Sequence, residues 1–321
     1  MLAIRRANVG GHIVSKAIKA GIRYIKDKNY RFVKNDLYGI HRLSDEEYIK
    51  RMWQIKMDYP LNLDNPQTFN EKLQWLKLHD HREEYTTMVD KFAVKDYISK
   101  TIGSQYVIPL LGVWNRFEEI DFTKLPNQFV LKTTHGCGGM YICRDKNELN
   151  VSKARSEITR KLNFNYYYTQ REWPYKNVPP KIIAEKYMQD GDTLILNVFK
   201  VFNFAGIPRI IQVIQNDKTP DETIDYFDID WNLLEVRQNY PNSVNHLKRP
   251  ANLDEMLRLS AKCSQGIPFV RTDWYCINGN TFFSEFTFYS DAGFERFYPN
   301  SWDMILGNYI QLKETGKAKN Q

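Results

Sequence analysis

Cysteine is scarce in this 321-residue chain, and the four present, Cys137, Cys143, Cys263 and Cys276, form no CxxC pair and no metal-ligand spacing. That excludes a disulfide framework and a structural zinc site, and fits reduced thiols in a cytoplasmic protein. No apolar run approaches the ~20 residues that a bilayer-spanning helix needs. Lysines interrupt the apolar core that a cleavable signal peptide requires. Internal repeats and low-complexity linkers are missing. Past the first 35 residues no basic stripe is interleaved with stacking aromatics, which argues against a nucleic-acid partner.

What is present describes a globular enzyme. At 38.1 kDa, with 42% hydrophobic and 14% aromatic residues, the chain can bury a large core in two or three structural units. Its net charge of +7 is uneven: residues 1–35 hold nine Lys or Arg against the single acid Asp27, which gives +8 and leaves the remainder at −1. Within this leader, taken as residues 1–42, Val14, Ile18, Ile22 and Ile25 recur at helical spacing while Lys16, Lys19, Arg23 and Lys26 take other faces. The pattern predicts a basic amphipathic helix that either packs on the body or frays, or lies on anionic lipid, the second case placing a cytoplasmic protein peripherally at the inner membrane face.

The body is organised around Phe129–Met140, where an apolar run ends on Lys132 and a loop follows with glycine at 136, 138 and 139. Backbone amides in such a loop can approach an anion without side-chain obstruction, which is phosphate chemistry. Before it, residues 43–77 read as helices, with starts at Ser44-Asp45-Glu46-Glu47 and Asn65-Pro66-Gln67-Thr68, and Thr86–Lys100 reads as one further helix carrying Asp90, Lys91 and Lys95. After it come a helix from Asn150 to Leu162 and an aromatic, charged connection, Tyr166–Lys176. Strands follow at Lys181–Met188, Leu194–Phe204 and Ile210–Val213. On the second of these, Lys200 shares a face with Val198 and Phe202, a placement that is costly unless the lysine meets an anion.

A helix over Leu253–Gln265 leads to the runs 270–277 and 281–288, which flank Asn278-Gly279-Asn280, a hairpin signal. A three-residue loop pairs Ile277 with Thr281 and sets Asp273 opposite Glu285, two carboxylates on one face. A two-residue loop pairs Asp273 with Ser284 instead. A last helix is expected over Trp302–Lys313.

Taken in order, the lysines, the glycine loop, Glu185-Lys186 and the late carboxylates resemble the ATP-grasp fold of D-alanine–D-alanine ligase and glutathione synthetase. More narrowly, Asn65–Lys72, Arg171-Glu172-Trp173 and Ser284–Phe288 resemble the TupA-like ATP-grasp family, associated with capsule and other cell-surface polysaccharide synthesis. The resemblance implies an α+β fold whose antiparallel sheets clasp the nucleotide after a helical N-terminal region (43–128), with a small subdomain at 129–190 and a large one at 191–321. It implies ATP and magnesium (Mg2+) as cofactors. Lys91, Lys132 and Lys200 would meet phosphate, and Thr133, Thr134, His135, Gly136, Gly138 and Gly139 would close over it. Glu185, Lys186, Tyr187 and Met188 would hold the adenine edge and Asp192 the ribose. Asp273, Glu285 and Thr287 would bind metal, with threonine where the family pattern Glu-x-Asn has asparagine. Arg271 would steady a tetrahedral intermediate, making Arg271, Lys132 and Lys200 the catalytic set. Arg171, Trp173, Tyr175 and Lys176 would hold an acidic sugar.

These parts support ATP-driven ligation of a saccharide carboxylate to an amine or amino acid. Three rivals stand beside it: a glycosyltransferase using Asp228-Ile229-Asp230 for a nucleotide sugar, a kinase built on the same lysines and carboxylates, and a scaffold without turnover.

Overall fold

A computed structural model describes residues 18–40, 42–191, 193 and 195–312. The chain divides into two compact units, Met1–Ile55 and Lys56–Gln321. In the first, residues 18–26 are helical, and a second helix, Lys28–Leu37, begins where the Asp27 carboxylate accepts from the N–H groups of Asn29 and Tyr30 at 3.0 and 2.9 Å, an N-cap. The expected amphipathic face is exposed at Ile18, Ile22 and Ile25. Val14 and Lys16 lie outside the described residues. Ser44 and Glu47 cap the next helix, Asp45–Lys56, reciprocally. No helix among the described residues is long and apolar enough to cross a membrane.

The second unit is α+β and contains two antiparallel sheets. The four-stranded sheet runs β1-β4-β2-β3, with β1 Leu110–Trp114, β2 Phe129–Thr133, β3 Met140–Cys143 and β4 Ile182–Lys186. Phe129, Leu131 and Ala184 of this sheet share a small core with Ala154 and Ile158 of the helix Val151–Leu162. The five-stranded sheet runs β7-β6-β5-β8-β9, with β5 Val198–Phe204, β6 Ile207–Gln215, β7 Thr223–Asp228, β8 Val270–Ile277 and β9 Asn280–Thr287. Against one face packs the helix Leu253–Cys263, whose Ser260 hydroxyl accepts from Thr272 and from the Trp274 indole, both at 2.8 Å. The register sets Tyr226, Gln212, Lys200, Asp273 and Glu285 side by side across all five strands, on the opposite face.

The β8–β9 hairpin has the two-residue loop and yet the carboxylate facing expected of the three-residue one. Ile277 pairs with Asn280, so the turn has two residues, Asn278 and Gly279, with φ of 50° and 76°, as a tight hairpin turn of positive φ requires. That register alone would put Ser284 opposite Asp273. Instead the ladder slips between Trp274 and Asp273, Ser284 is left over as a β-bulge, and Asp273 faces Glu285 after all.

Other boundaries also differ. The helix expected over Thr86–Lys100 is two, Glu83–Val89 and Ala93–Thr101. The break comes where the Asp90 carboxylate caps Phe92 N–H at 2.9 Å and Lys91 N–H donates to Thr134 O at 3.1 Å. β5 starts at Val198 because a turn closed by Thr193 donating to Asp190 O occupies the preceding chain. The last helix is Ser301–Tyr309, its end met by Lys72 Nζ donating to Gly307 O and Ile310 O at 2.9 Å each, and Lys313 lies outside the described residues.

The helix Phe69–His79 has a buried polar edge. Asn70, Gln74 and Lys77 recur at helical spacing and donate to carbonyls of Glu295, of Ala292 and Gly293, and of Ala292 and Gln170. They stabilise a turn, Ser290–Gly293, in which Asp291 and Ala292 hold φ of 48° and 54°, a region unfavourable for residues with a Cβ.

Candidate active site

On the four-stranded sheet the site is a buried relay of charge. Lys132 on β2 and Lys95 on the helix Ala93–Thr101 each pair with one oxygen of Glu185 on β4, at 2.5 Å. Burial opposes the Glu185 charge, but Lys132 and Lys95 overcome it and hold the carboxyl at about 2. The same balance raises Lys132, whereas burial lowers Lys95. Glu185 was expected at the adenine edge; in this structure its carboxylate lies between the two lysines.

The glycine loop is strapped at both ends. Thr133 N–H donates to Gly139 O at 2.8 Å, Thr134 N–H to Lys181 O at 3.0 Å, and Lys181 N–H returns to the Thr134 hydroxyl at 3.0 Å. Gly138 holds φ of 79°. A Cβ at Gly136 would stand 2.6 Å from Tyr166 Cβ, so only glycine fits there. His135 is buried, burial pushes its pKa down, and its Nδ1 has no hydrogen-bond partner. Lys91 Nζ spans the two sheets, donating to Gly136 O at 3.1 Å and pairing with Glu285 Oε2 at 3.2 Å.

On the five-stranded sheet Arg271 grips Asp273 with two N–H groups, at 2.8 and 3.0 Å, and donates to Ser290 Oγ and Thr287 Oγ1, both at 3.1 Å. Lys200 Nζ stands 3.8 Å from Asp273 Oδ2, which supplies the anion that its apolar surroundings demanded. Burial opposes the charge on Glu285, but Lys91, Lys200 and Arg271 bring its carboxyl down to about 2.

A cleft of about 390 Å³ runs between the sheets. Its walls are Val130, Met140 and Ile142 of the small sheet, Val198 and Tyr275 of the large one, and the chain from Glu185 to Met188, with Lys132 at one end. An adjoining cavity of about 30 Å³ is lined by Lys91, Lys95, Lys132, Glu185 and Glu285. Lys132 of one sheet, Lys91 and Lys95 of the helical segment before it, and a carboxylate of the other sheet therefore meet in one place. Asp217, Lys218 and Thr219, which no motif singled out, also line the cleft. Asp192 lies outside the described residues.

The four residues expected to hold sugar are not gathered in the cleft. Arg171 is buried, donates to Tyr168 O at 3.1 Å and lies over the Tyr167 and Tyr168 rings. Trp173 stacks on His81 with ring centroids 4.8 Å apart, and Tyr175 meets Tyr166 edge-on at 4.9 Å. Lys176 is exposed, its ammonium over the Tyr167 ring. Asp228 accepts from Asp230 N–H, Asn232 N–H and Asn232 Nδ2 at 3.0, 2.8 and 2.9 Å, so it closes a turn.

Among the described residues no group of three or more His, Cys, Asp or Glu forms a protein cage for a metal. Asp273 and Glu285 offer hard oxygen donors on neighbouring strands, which fits magnesium, since that ion binds through one or two carboxylates plus substrate phosphates. The orphaned His135 Nδ1 beside a glycine loop and lysines likewise fits a phosphate ligand.

A family model described as TupA-like ATPgrasp matches residues 71–311. No curated protein sequence matches the chain. Solved structures similar to it include D-alanine–D-alanine ligase from Bacillus anthracis complexed with ATP, at 16% identity and TM-score 0.38, covering 62% of this chain and 54% of that one. D-alanine–D-alanine ligase from Helicobacter pylori matches at 12% identity and TM-score 0.42, covering 76% and 69%. The D-cycloserine synthetase DcsG matches at 13% identity and TM-score 0.37, covering 76% and 70%. The chain thus spans about half the length of the Bacillus anthracis enzyme it matches.

Proposed function

The chain belongs to the TupA-like ATP-grasp family, and from that premise we propose that it is an ATP- and magnesium-dependent ligase joining a carboxylate to an amine through an acylphosphate. The acid is a uronic-acid-type sugar and the amine an amino acid or other primary amine, in assembly of cell-surface polysaccharide. The observation that carries this reading is the cavity where Lys91, Lys95 and Lys132 face Glu285, at the end of an apolar cleft sized for a nucleotide base.

Each residue then has a task that its surroundings support. Glu185 keeps Lys132 charged and aimed despite burial, ready for phosphate oxygens. Asp273 and Glu285 would hold magnesium, which when bound offsets phosphate charge. Arg271, fixed by Asp273, Ser290 and Thr287, is oriented for a developing oxyanion, a contribution of roughly 3 kcal/mol by comparison with other such donors. Thr287 accepts from Arg271, so it serves that guanidinium as well as any metal. Lys176 is the exposed cation of its segment and would meet the sugar carboxylate. The exposed Ile18, Ile22 and Ile25, with Lys19, Arg23 and Lys26 alongside, would rest on anionic lipid.

Thermal stabilisation tests the nucleotide site: magnesium and ATP raise the melting temperature of the wild type and not of Glu285→Gln. Stabilisation by UDP-sugars alone, lost in Asp228→Asn, would establish the glycosyltransferase instead. Co-sedimentation with phosphatidylserine vesicles, compared with neutral ones, tests the membrane contact.

A further inference from the structure

The small sheet turns every second residue from Met140 onward toward the cleft. Met140, Ile142 and Arg144 line it, whereas Tyr141 and Cys143 between them belong to the core under the helix Val151–Leu162. In register, Met140 pairs with Lys132 and Ile142 with Val130, and both partners line the cleft as well. Arg144 is therefore the next rung past the apolar pair, roughly 13 Å beyond the Lys132 rung at the rise of a strand. Lys186 lines the same stretch, but its register partner is Phe129 of the core, so its side chain starts from the opposite face.

The opposite wall steps from charged to apolar in the same way. Lys200 pairs with Asp273, Val198 with Tyr275 two residues on, and Leu196 and Ile195 follow. At the far end of this apolar passage Arg144 is a cation well away from the phosphate lysines. Its carbonyl accepts from Gln128 Nε2 at 3.0 Å, which fixes the backbone. Its side chain is exposed, and among the described residues it has no hydrogen bond, ion pair or ring contact. Both acids that line the cleft are already paired, Glu185 with Lys95 and Lys132, and Asp217 with Lys218 at 3.1 Å. A planar, weakly hydrated guanidinium so placed suits the face of an aromatic ligand.

We propose that Arg144 lays its guanidinium on the nucleobase and makes the cleft select a purine. This rests on the nucleotide site proposed above. With phosphates at Lys132, the ribose and base extend along the wall toward Arg144. A pyrimidine is one ring and ends over Val130 and Ile142. The second ring of a purine carries the π face on to the arginine. Because the Glu185 carboxylate stays between two lysines, the base is held through its faces rather than by that carboxylate at its edge.

Competition against a ribose-labelled fluorescent ATP, with magnesium and the full chain, reads the effect. Arg144→Ala is expected to raise the ATP dissociation constant by roughly 2- to 30-fold and to leave that of CTP in place. Arg144→Lys keeps the charge without the plane and should retain most of the defect. Both variants should melt with the wild type when no nucleotide is present, since the fold makes no use of the side chain. Equal weakening of ATP and CTP, or full recovery by lysine, would assign the arginine to phosphate and overturn the stacking. An unchanged ATP constant would make it a solvated charge, and earlier melting without nucleotide would make it a support of the fold; either overturns the proposal. In all of these cases ATP still binds the wild type and the nucleotide site stands. A wild type that binds neither ATP nor its labelled analogue sinks that site, and the role of Arg144 with it.

Discussion

The two sheets that meet at the cleft hold charge in opposite ways. At the four-stranded sheet one carboxylate, Glu185, is buried between the sheet's own Lys132 and Lys95 of the helix Ala93–Thr101, and its glycine loop accepts from Lys91, so the charge gathered there is cationic. The five-stranded sheet presents Asp273 and Glu285, kept ionised by Arg271, Lys200 and Lys91. Their supports differ too. Behind the first is a small core on a single helix. The second stands on a large core in which Phe69, Phe202, Phe204 and Phe269 pack ring against ring at 4.9–6.3 Å. The carboxylate side is built to stay still, and the cation side is the one with less to lose by shifting when a nucleotide enters.

The comparison breaks first at Arg271. Arg271→Met leaves Asp273 buried with only Lys200 at 3.8 Å, and should cost about 3–5 kcal/mol in urea unfolding. On the cation side, Glu185 sits at about 2 in the fold against an ordinary 4.5. A depressed carboxyl stabilises above its unfolded pKa, so on the order of 3 kcal/mol should be present above pH 4.5 and disappear as pH falls toward 2, a slope missing in Glu185→Gln. Thr287→Val removes one acceptor from Arg271 and should cost about 1 kcal/mol in the same unfolding experiment. Asp228→Asn keeps most of its turn and should cost less than about 1 kcal/mol, with turnover unchanged. The finest test is hydrogen exchange: amides of β2 and β3 should exchange faster than those of β5 and β8, and gain more protection when magnesium and ATP are added.

Much of this site was legible because its chemistry is local. Lys132 ends an apolar run before three glycines, and Asn278-Gly279 announces a hairpin, so the strand that carries each of these charged groups could be read directly. What the sequence could not convey depended on distant partners. Lys95 was visible, but its pairing with Glu185 arises only when two separate elements pack. The helix break at Asp90 had a local signal, an aspartate able to cap, outweighed by the helical periodicity on either side. The Asp217–Thr219 wall of the cleft is a turn with no periodicity to read. The right facing of Asp273 and Glu285 came from the wrong loop length, since Ser284 supplied the shift assigned to the turn.

That unpaired Ser284 also determines which accidents of inheritance this hairpin can survive. Lengthening both arms equally near Asn278 and Gly279 leaves Asp273 facing Glu285, because everything between them and the tip grows in step. Deleting the single codon for residue 284 removes the bulge and brings Glu285 directly after Phe283, so it still falls opposite Asp273, now in an unbroken ladder. In this stretch a lineage tolerates symmetrical growth and even the loss of one small serine, but not an unmatched residue added to one arm between the tip and the carboxylates.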